Sequence, residues 1–178
     1  MKNEIPVHSL LYPVLNEYSY ADSFTAPIRC QDVASWELIA ALFHSAPPWF
    51  DRLALLRDRI VYVFGLKTGD SDPKKVEPPY RVGQRIGFFR ILQISDNEVV
   101  LGEDDRHLDF RTSLLVVNQE TGARLTVSTL VETKNSLGTA YFSIVKHFHR
   151  LIVPIMVERM ARLIDEKKLP YYAGRPQR

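Results

Sequence analysis

Two kinds of periodicity divide the chain. Tyr18, Tyr20, Asp22, Phe24 and Ala26 alternate with Ser19, Ala21, Ser23 and Thr25. This two-residue repeat, rich in aromatic and hydroxyl side chains, predicts a strand running to Ile28. Pro27 has no N–H to give a ladder, so the strand belongs at an edge or an end of its sheet. The period then lengthens. Trp36, Ile39, Ala40 and Phe43 fall at i, i+3, i+4 and i+7, one face of a helix capped by Asp32 and running to about His44. Pro47 and Pro48 stop it. Trp49, Leu53, Leu56 and Ile60 form the stripe of a second short helix, so the pair is angular rather than a coiled coil.

Between Lys67 and Arg85 the apolar rhythm disappears among glycines, prolines and charges. A loop of that length is a mobile insertion or a lid over a cleft. Alternation returns at Ile86. Ile86–Ile94 and Glu98–Gly102 read as strands separated by the turn Ser95-Asp96-Asn97. Leu108, Phe110, Thr112, Leu114 and Val116 share a face opposite Asp109, Arg111 and Ser113. Leu125, Val127, Thr129 and Val131 mark another, with Gly122 placed for a positive φ in the turn between them. Turns this closely spaced imply an antiparallel meander. From Gly138 to about Lys168 the period is helical again, with Tyr141, Val145, Phe148, Ile152 and Ile155 as the apolar stripe and Pro154 as a predicted kink. The tail from Leu169 is expected to fray.

A meander with one apolar face must be covered, and the last helix is the only element long enough to lie across it. The fold class is therefore α+β: a curved antiparallel sheet with two short helices and a long C-terminal helix packed across it. At 178 residues the whole chain, 1–178, is expected to be one domain.

Composition sharpens this in three places. Net charge is only +2, which gives no global argument for nucleic acid. That balance hides a gradient: Lys146–Arg178 carries eight basic and three acidic residues, and the remainder is mildly acidic. The basic helix lacks the interleaved aromatics that stack bases, so a solvated face explains it, and neither nucleic acid nor membrane is expected as a partner. The single cysteine, Cys30, sits at a strand-to-helix junction and has no internal partner. A reducing, cytoplasmic setting follows. The first fifteen residues lack the apolar core and cleavage site of a signal peptide, and Gly138–Val157 is too interrupted by Lys146, His147, His149 and Arg150 to span a bilayer.

Several short motifs recur in order. They are Ala21-Asp22-Ser23-Phe24, Pro48-Trp49 with Leu56-Arg57, and Phe64-Gly65-Leu66-Lys67. Gly102 with His107-Leu108-Asp109-Phe110-Arg111 follows, then Val127-Ser128-Thr129 with Val131, and finally Gly138, Tyr141 and Phe148-His149-Arg150. With them the chain resembles a bacterial family of unknown function within the SRPBCC superfamily, the START and birch-pollen-allergen-like helix-grip proteins. Members stand alone or are fused to NAD(P)-binding epimerase-like domains. The resemblance implies the fold and a cavity, but no catalytic residues. No phosphate-binding glycine loop is present in this chain, and no cofactor is expected.

The candidate chemistry lies on the predicted inner faces. Phe24, Phe88, Phe110, Leu114, Val127, Phe148 and Ile152 would wall an apolar cavity between sheet and helix. Arg90, Tyr141 and His149 would orient the polar end of a ligand. Arg90 faces inward only if it alternates in step with Ile86, Phe88 and Leu92. The acidic run Glu103–Asp109 matches no metal-binding spacing and reads as a charged turn, so no metal is expected. Three functions fit: a module binding an apolar or amphipathic small molecule; a non-catalytic interaction or regulatory domain, with a homodimer as one form; or a cyclase- or dehydratase-like enzyme using His149 with Tyr141 or Asp22.

Overall fold

The computed structural model describes residues 4–46 and 76–171. The expected second helix at Trp49–Ile60 and the loop residues Lys67–Lys75 lie outside the described residues. So do the motifs at Pro48-Trp49, Leu56-Arg57 and Phe64–Lys67, and the tail beyond Tyr171.

Among the described residues, six strands form one open antiparallel sheet. They are β1 (Tyr20–Ile28), β2 (Arg85–Ile86), β3 (Phe89–Ile94), β4 (Glu98–Asp104), β5 (Leu108–Asn118) and β6 (Ala123–Thr133), in the spatial order β1-β6-β5-β4-β3-β2. β1 is an edge strand and Pro27 is exposed on it, as a residue without an N–H requires. Helix α1 (Ser35–Ser45) and the long helix α2 (Ser136–Asp165) pack together, and α2 lies against β1 and β6. The architecture is α+β, compatible with a helix grip.

The meander follows the alternation closely. Phe24, Val127, Leu114 and Val99 are opposite one another across four strands and are buried on the inner face, beneath the helices. Gly122 has φ +81° in the β5–β6 turn, and a side chain there would meet the Ile28 carbonyl.

Four local readings are corrected. First, Asp32 does not cap α1. It adopts φ 58°, Ala34 is the N-cap, and the Glu37 carboxylate accepts from the Ala34 N–H at 2.7 Å. Second, Ile86–Ile94 is not one strand. Gly87, at φ 59°, and Phe88 form a two-residue hairpin turn that pairs Ile86 with Phe89, matching the turn that needs glycine first. Third, the C-terminal part of the predicted loop packs against the core through Val76 and Tyr80, and Arg85 belongs to β2. Fourth, Leu169, expected to begin a frayed tail, is buried in the core, and the Tyr171 hydroxyl donates to the Val76 carbonyl at 3.3 Å.

The outer face of the sheet is covered as well. Residues 4–18, including a 3-10 turn at Tyr12–Glu17, lie over it, with Ile5 and Leu11 packed on Val100 and Leu130. Ser113 and Ser128 are fully buried there. Glu98 sits beneath this strap. It accepts from the Ser9 hydroxyl at 2.6 Å, from the Leu10 N–H at 2.9 Å and from the Ser113 hydroxyl.

Candidate functional site

Alternation brings Asp22 to the inner face of β1, opposite Thr129 of β6, which in turn is opposite Thr112 of β5. Helix α2 crosses above this row. His149 points down, with Nε2 3.2 Å from Asp22 Oδ1. The Asp22 side chain is wholly buried, and that of His149 keeps 19% of its exposure. The Tyr20 hydroxyl donates to the second Asp22 oxygen and accepts from Arg150 Nε at 3.3 Å. Burial, and then the hydrogen bond to Asp22, push the Tyr20 phenol up to about 12. Phe142 meets the Tyr20 ring edge-on at 4.9 Å, and Lys146 and Arg150 stand over that ring at 5.9 and 5.7 Å.

The buried carboxylate fixes the imidazole. With Nε2–H donating to Asp22, the Nδ1 atom carries the lone pair, and a carboxylate-held imidazole of this kind accepts a proton or a hydrogen bond. Phe24 packs beside it, its ring centroid 6.5 Å from that of His149.

The next row on the same face carries aromatic side chains. Tyr20 is opposite Val131, Val131 opposite Phe110, and Phe110 opposite Glu103. Phe88, Phe89 and Phe110 form a cluster with centroids 4.1 to 6.0 Å apart, and Phe43 of α1 meets Phe89 at 5.8 Å. These four rings are only partly buried. At one interstrand spacing per step, Phe110 lies about 10 Å from the Tyr20 backbone, with the buried Val131 of β6 between them.

The structure divides the sequence-predicted wall. Phe24, Leu114, Val127 and Ile152 are buried within the core. Phe88, Phe110, Tyr141, Phe148 and His149 retain open surface. Arg90 faces the other way. The Gly87–Phe88 turn resets the alternation, so Arg90 shares the outer face with Leu92, and its half-exposed guanidinium approaches Glu103 at 3.9 Å. It does not belong to the inner site.

Sequence reading missed the full extent of the exposed helix face. Ile144, Phe148, Leu151 and Ile155 are large, apolar and open to solvent, and they repeat at i, i+4, i+7 and i+11. The predicted inward stripe joined Phe148 and Ile155 to Val145 and Ile152; Ile152 is buried as expected, whereas Phe148 and Ile155 stand open to solvent.

The acidic run Glu103–Asp109 is neutralised internally. Glu103 pairs with Arg85, Asp104 with Arg111 and Asp109 with Lys134, each at 2.6 Å. Among the described residues no group of three or more His, Cys, Asp or Glu could hold a metal ion, and no helix is long and apolar enough to cross a membrane. A shallow groove of about 500 Å³ beside β2, lined by Pro79, Arg81, Val82 and Gln84, offers one cation and no aromatic ring.

No curated protein matches this sequence. Residues 14–156, which run from the 3-10 turn through the Asp22–His149 pair to Met156 of α2, match the model of a family described as a protein of unknown function (DUF2867), and the chain belongs to that family.

Proposed function

We propose that this protein is a small-molecule-binding module whose cleft lies between the inner face of the sheet and α2. One observation carries the reading. Partly open aromatic rings on the sheet, Phe88, Phe89 and Phe110, lie on the same side of the molecule as an exposed apolar flank of α2. Lys146 and Arg150 lean over Tyr20 at the sheet edge, and the stripe at Ile144 and Phe148 is on the opposite side of the helix, at 100° per residue. That flank turns toward the central strands at Phe148, about 100° round the helix from His149, and away from the sheet at Leu151, about 160° from it. A partly open aromatic cluster on the sheet, with an apolar helix flank and a fixed imidazole near it, is what an apolar or amphipathic ligand needs.

The reading keeps the wider inheritance proposed from sequence: SRPBCC membership, a helix-grip cavity and a cytoplasmic bacterial setting. Native mass spectrometry of freshly purified protein tests it. A co-purifying small molecule released by organic solvent is the expected result. A crystal structure with the space between sheet and α2 packed solid by the protein's own side chains overturns it.

A second reading is catalytic, and the Asp22–His149 geometry favours it. His149 would be a general base or acid within the cleft, acting on a bound ligand. Replacing His149 with Phe should then abolish turnover while ligand still binds. The third reading, an interaction domain, draws on the same exposed stripe. It predicts concentration-dependent self-association by sedimentation.

A further inference from the structure

The stripe on α2 has a charged end. Ile144, Phe148, Leu151 and Ile155 are 48%, 42%, 69% and 43% exposed. One turn further along the same flank stands Arg159. Its Nε is buried and has no hydrogen-bond partner. Among the described residues, Arg85, Arg111 and Arg162 all have carboxylate partners, and Arg150 bonds to Tyr20. Arg159 has neither kind of contact. A guanidinium keeps its charge at any ordinary pH, so a buried N–H on it left without an acceptor is a standing cost. An incoming anion would remove that cost and gain a charge-assisted, potentially bidentate hydrogen bond.

We infer that the stripe and Arg159 form one binding site for an amphipathic anion, with its apolar body along Ile144–Ile155 and its carboxylate on Arg159. This rests on the ligand-binding reading and names the ligand class. The dimensions suit it. Ile144 to Ile155 spans about 16 Å along the helix axis and Arg159 lies about 6 Å beyond, at 1.5 Å per residue. The charge distribution favours a free molecule over a membrane. A helix lying on an anionic bilayer carries cations along the length of its apolar face; here Arg159 and Arg162, the latter 3.8 Å from Glu158, stand beyond one end of the stripe, and Lys146 and Arg150 are on the opposite flank over Tyr20.

The test compares dodecanoate with dodecanol, which share a chain and differ in head-group charge, by calorimetric titration below the concentration at which either self-associates. Dodecanoate is expected to bind at least about tenfold more tightly. Arg159→Gln should remove that preference and leave dodecanol affinity within about twofold. Arg159→Lys, which keeps the charge and loses the fork, should retain part of it. Should Arg159→Gln fail to fold, the lysine variant and the wild-type preference still decide the matter. Leu151→Ser should weaken both ligands. Equal affinity for the two ligands in the wild type, or a preference that survives Arg159→Gln, overturns the anion assignment and leaves the cleft standing. Failure of both ligands to bind overturns the assignment and argues against the cleft itself. Binding only to phosphatidylglycerol vesicles, and not to monomeric dodecanoate, overturns it in favour of a membrane surface.

Discussion

Glu98→Gln should release the N-terminal strap. The Glu98 carboxylate is 2% exposed and accepts three hydrogen bonds, two of them from Ser9 and Leu10 of the strap and one from Ser113 of β5. All three partners are donors. Glutamine offers one oxygen and one NH2 group; turned so that its oxygen keeps the Leu10 N–H, it presents the NH2 to Ser9 and Ser113, and those two hydroxyl protons lose their acceptor. Hydrogen bonds to a charged group contribute roughly 1.5–3 kcal/mol each, and a buried donor left unmade costs about 1–3 kcal/mol. The loss is bounded because Ser9 and Leu10 can return to water by lifting the strap. That movement forfeits the burial of Ile5 and Leu11, each about 1.5–3 kcal/mol. The expected destabilisation is therefore about 3 kcal/mol, taken as local detachment of residues 4–18. Urea unfolding gives the global loss. Amide hydrogen exchange should show lost protection at Ser9, Leu11 and Tyr12, whose N–H groups are bonded within or beneath the strap. Unchanged stability with unchanged protection there would refute the claim that this buried carboxylate anchors the segment.

Three further outcomes follow from the same geometry. Gly138→Ala would place a Cβ 2.0 Å from the His107 carbonyl oxygen, where the neighbour is backbone and cannot rotate away. Thermal unfolding should show a loss of about 2–3 kcal/mol, against about 1 kcal/mol for Gly83→Ala, where φ is +86° but the space is open. Burial and the Asp22 hydrogen bond raise Tyr20 to about 12, and burial and the Asp165 carboxylate raise Cys30 to about 11. The native state therefore holds these protons after the unfolded chain has released them. Their stabilisation is whole below about pH 9 and is lost as pH climbs towards 12. Urea midpoints should fall across that window, and the combined variant Tyr20→Phe, Cys30→Ser should lessen the fall; an equal fall in the variant would refute the assignment. Asp22→Asn and His149→Phe should be coupled in a double-mutant cycle by about 1 kcal/mol, since each removes the partner of the other. Additive losses would mean that the pair is not formed in solution.

Much of the inner face was legible because it obeys one rule. In β5 and β6 the side chains that point under the helices are Leu108, Phe110, Leu114, Val127 and Val131, and a two-residue period cannot hide them. The Asp22–His149 contact was legible as a pairing of faces, although the two residues are 127 positions apart. What escaped had specific causes. The outer face is lined by Ser113, Thr126 and Ser128, whose hydroxyls look solvent-facing although strap and strands bury them. Glu98 was not singled out, because burial of a carboxylate depends on donors that come from another segment. Arg90 was misdirected by a single hairpin turn: one tight turn changes which face every later residue occupies. The predicted inward stripe of α2 was too wide, because Phe148 and Ile155 continue the apolar repeat of Val145 and Ile152 although they lie beyond the margin of the buried face.

The central claim is that the open apolar flank of α2 and the aromatic cluster on the sheet bind one small amphipathic molecule together. The most direct measurement is a methyl and aromatic NMR titration of the intact chain with dodecanoate. Saturable shifts at Ile144, Leu151, Ile155 and Phe110, with intermolecular contacts from the same alkyl chain to α2 and to Phe110, are the predicted result. Absence of shifts at these residues, or saturable shifts confined to the outer face around Val100 and Leu130, would contradict it.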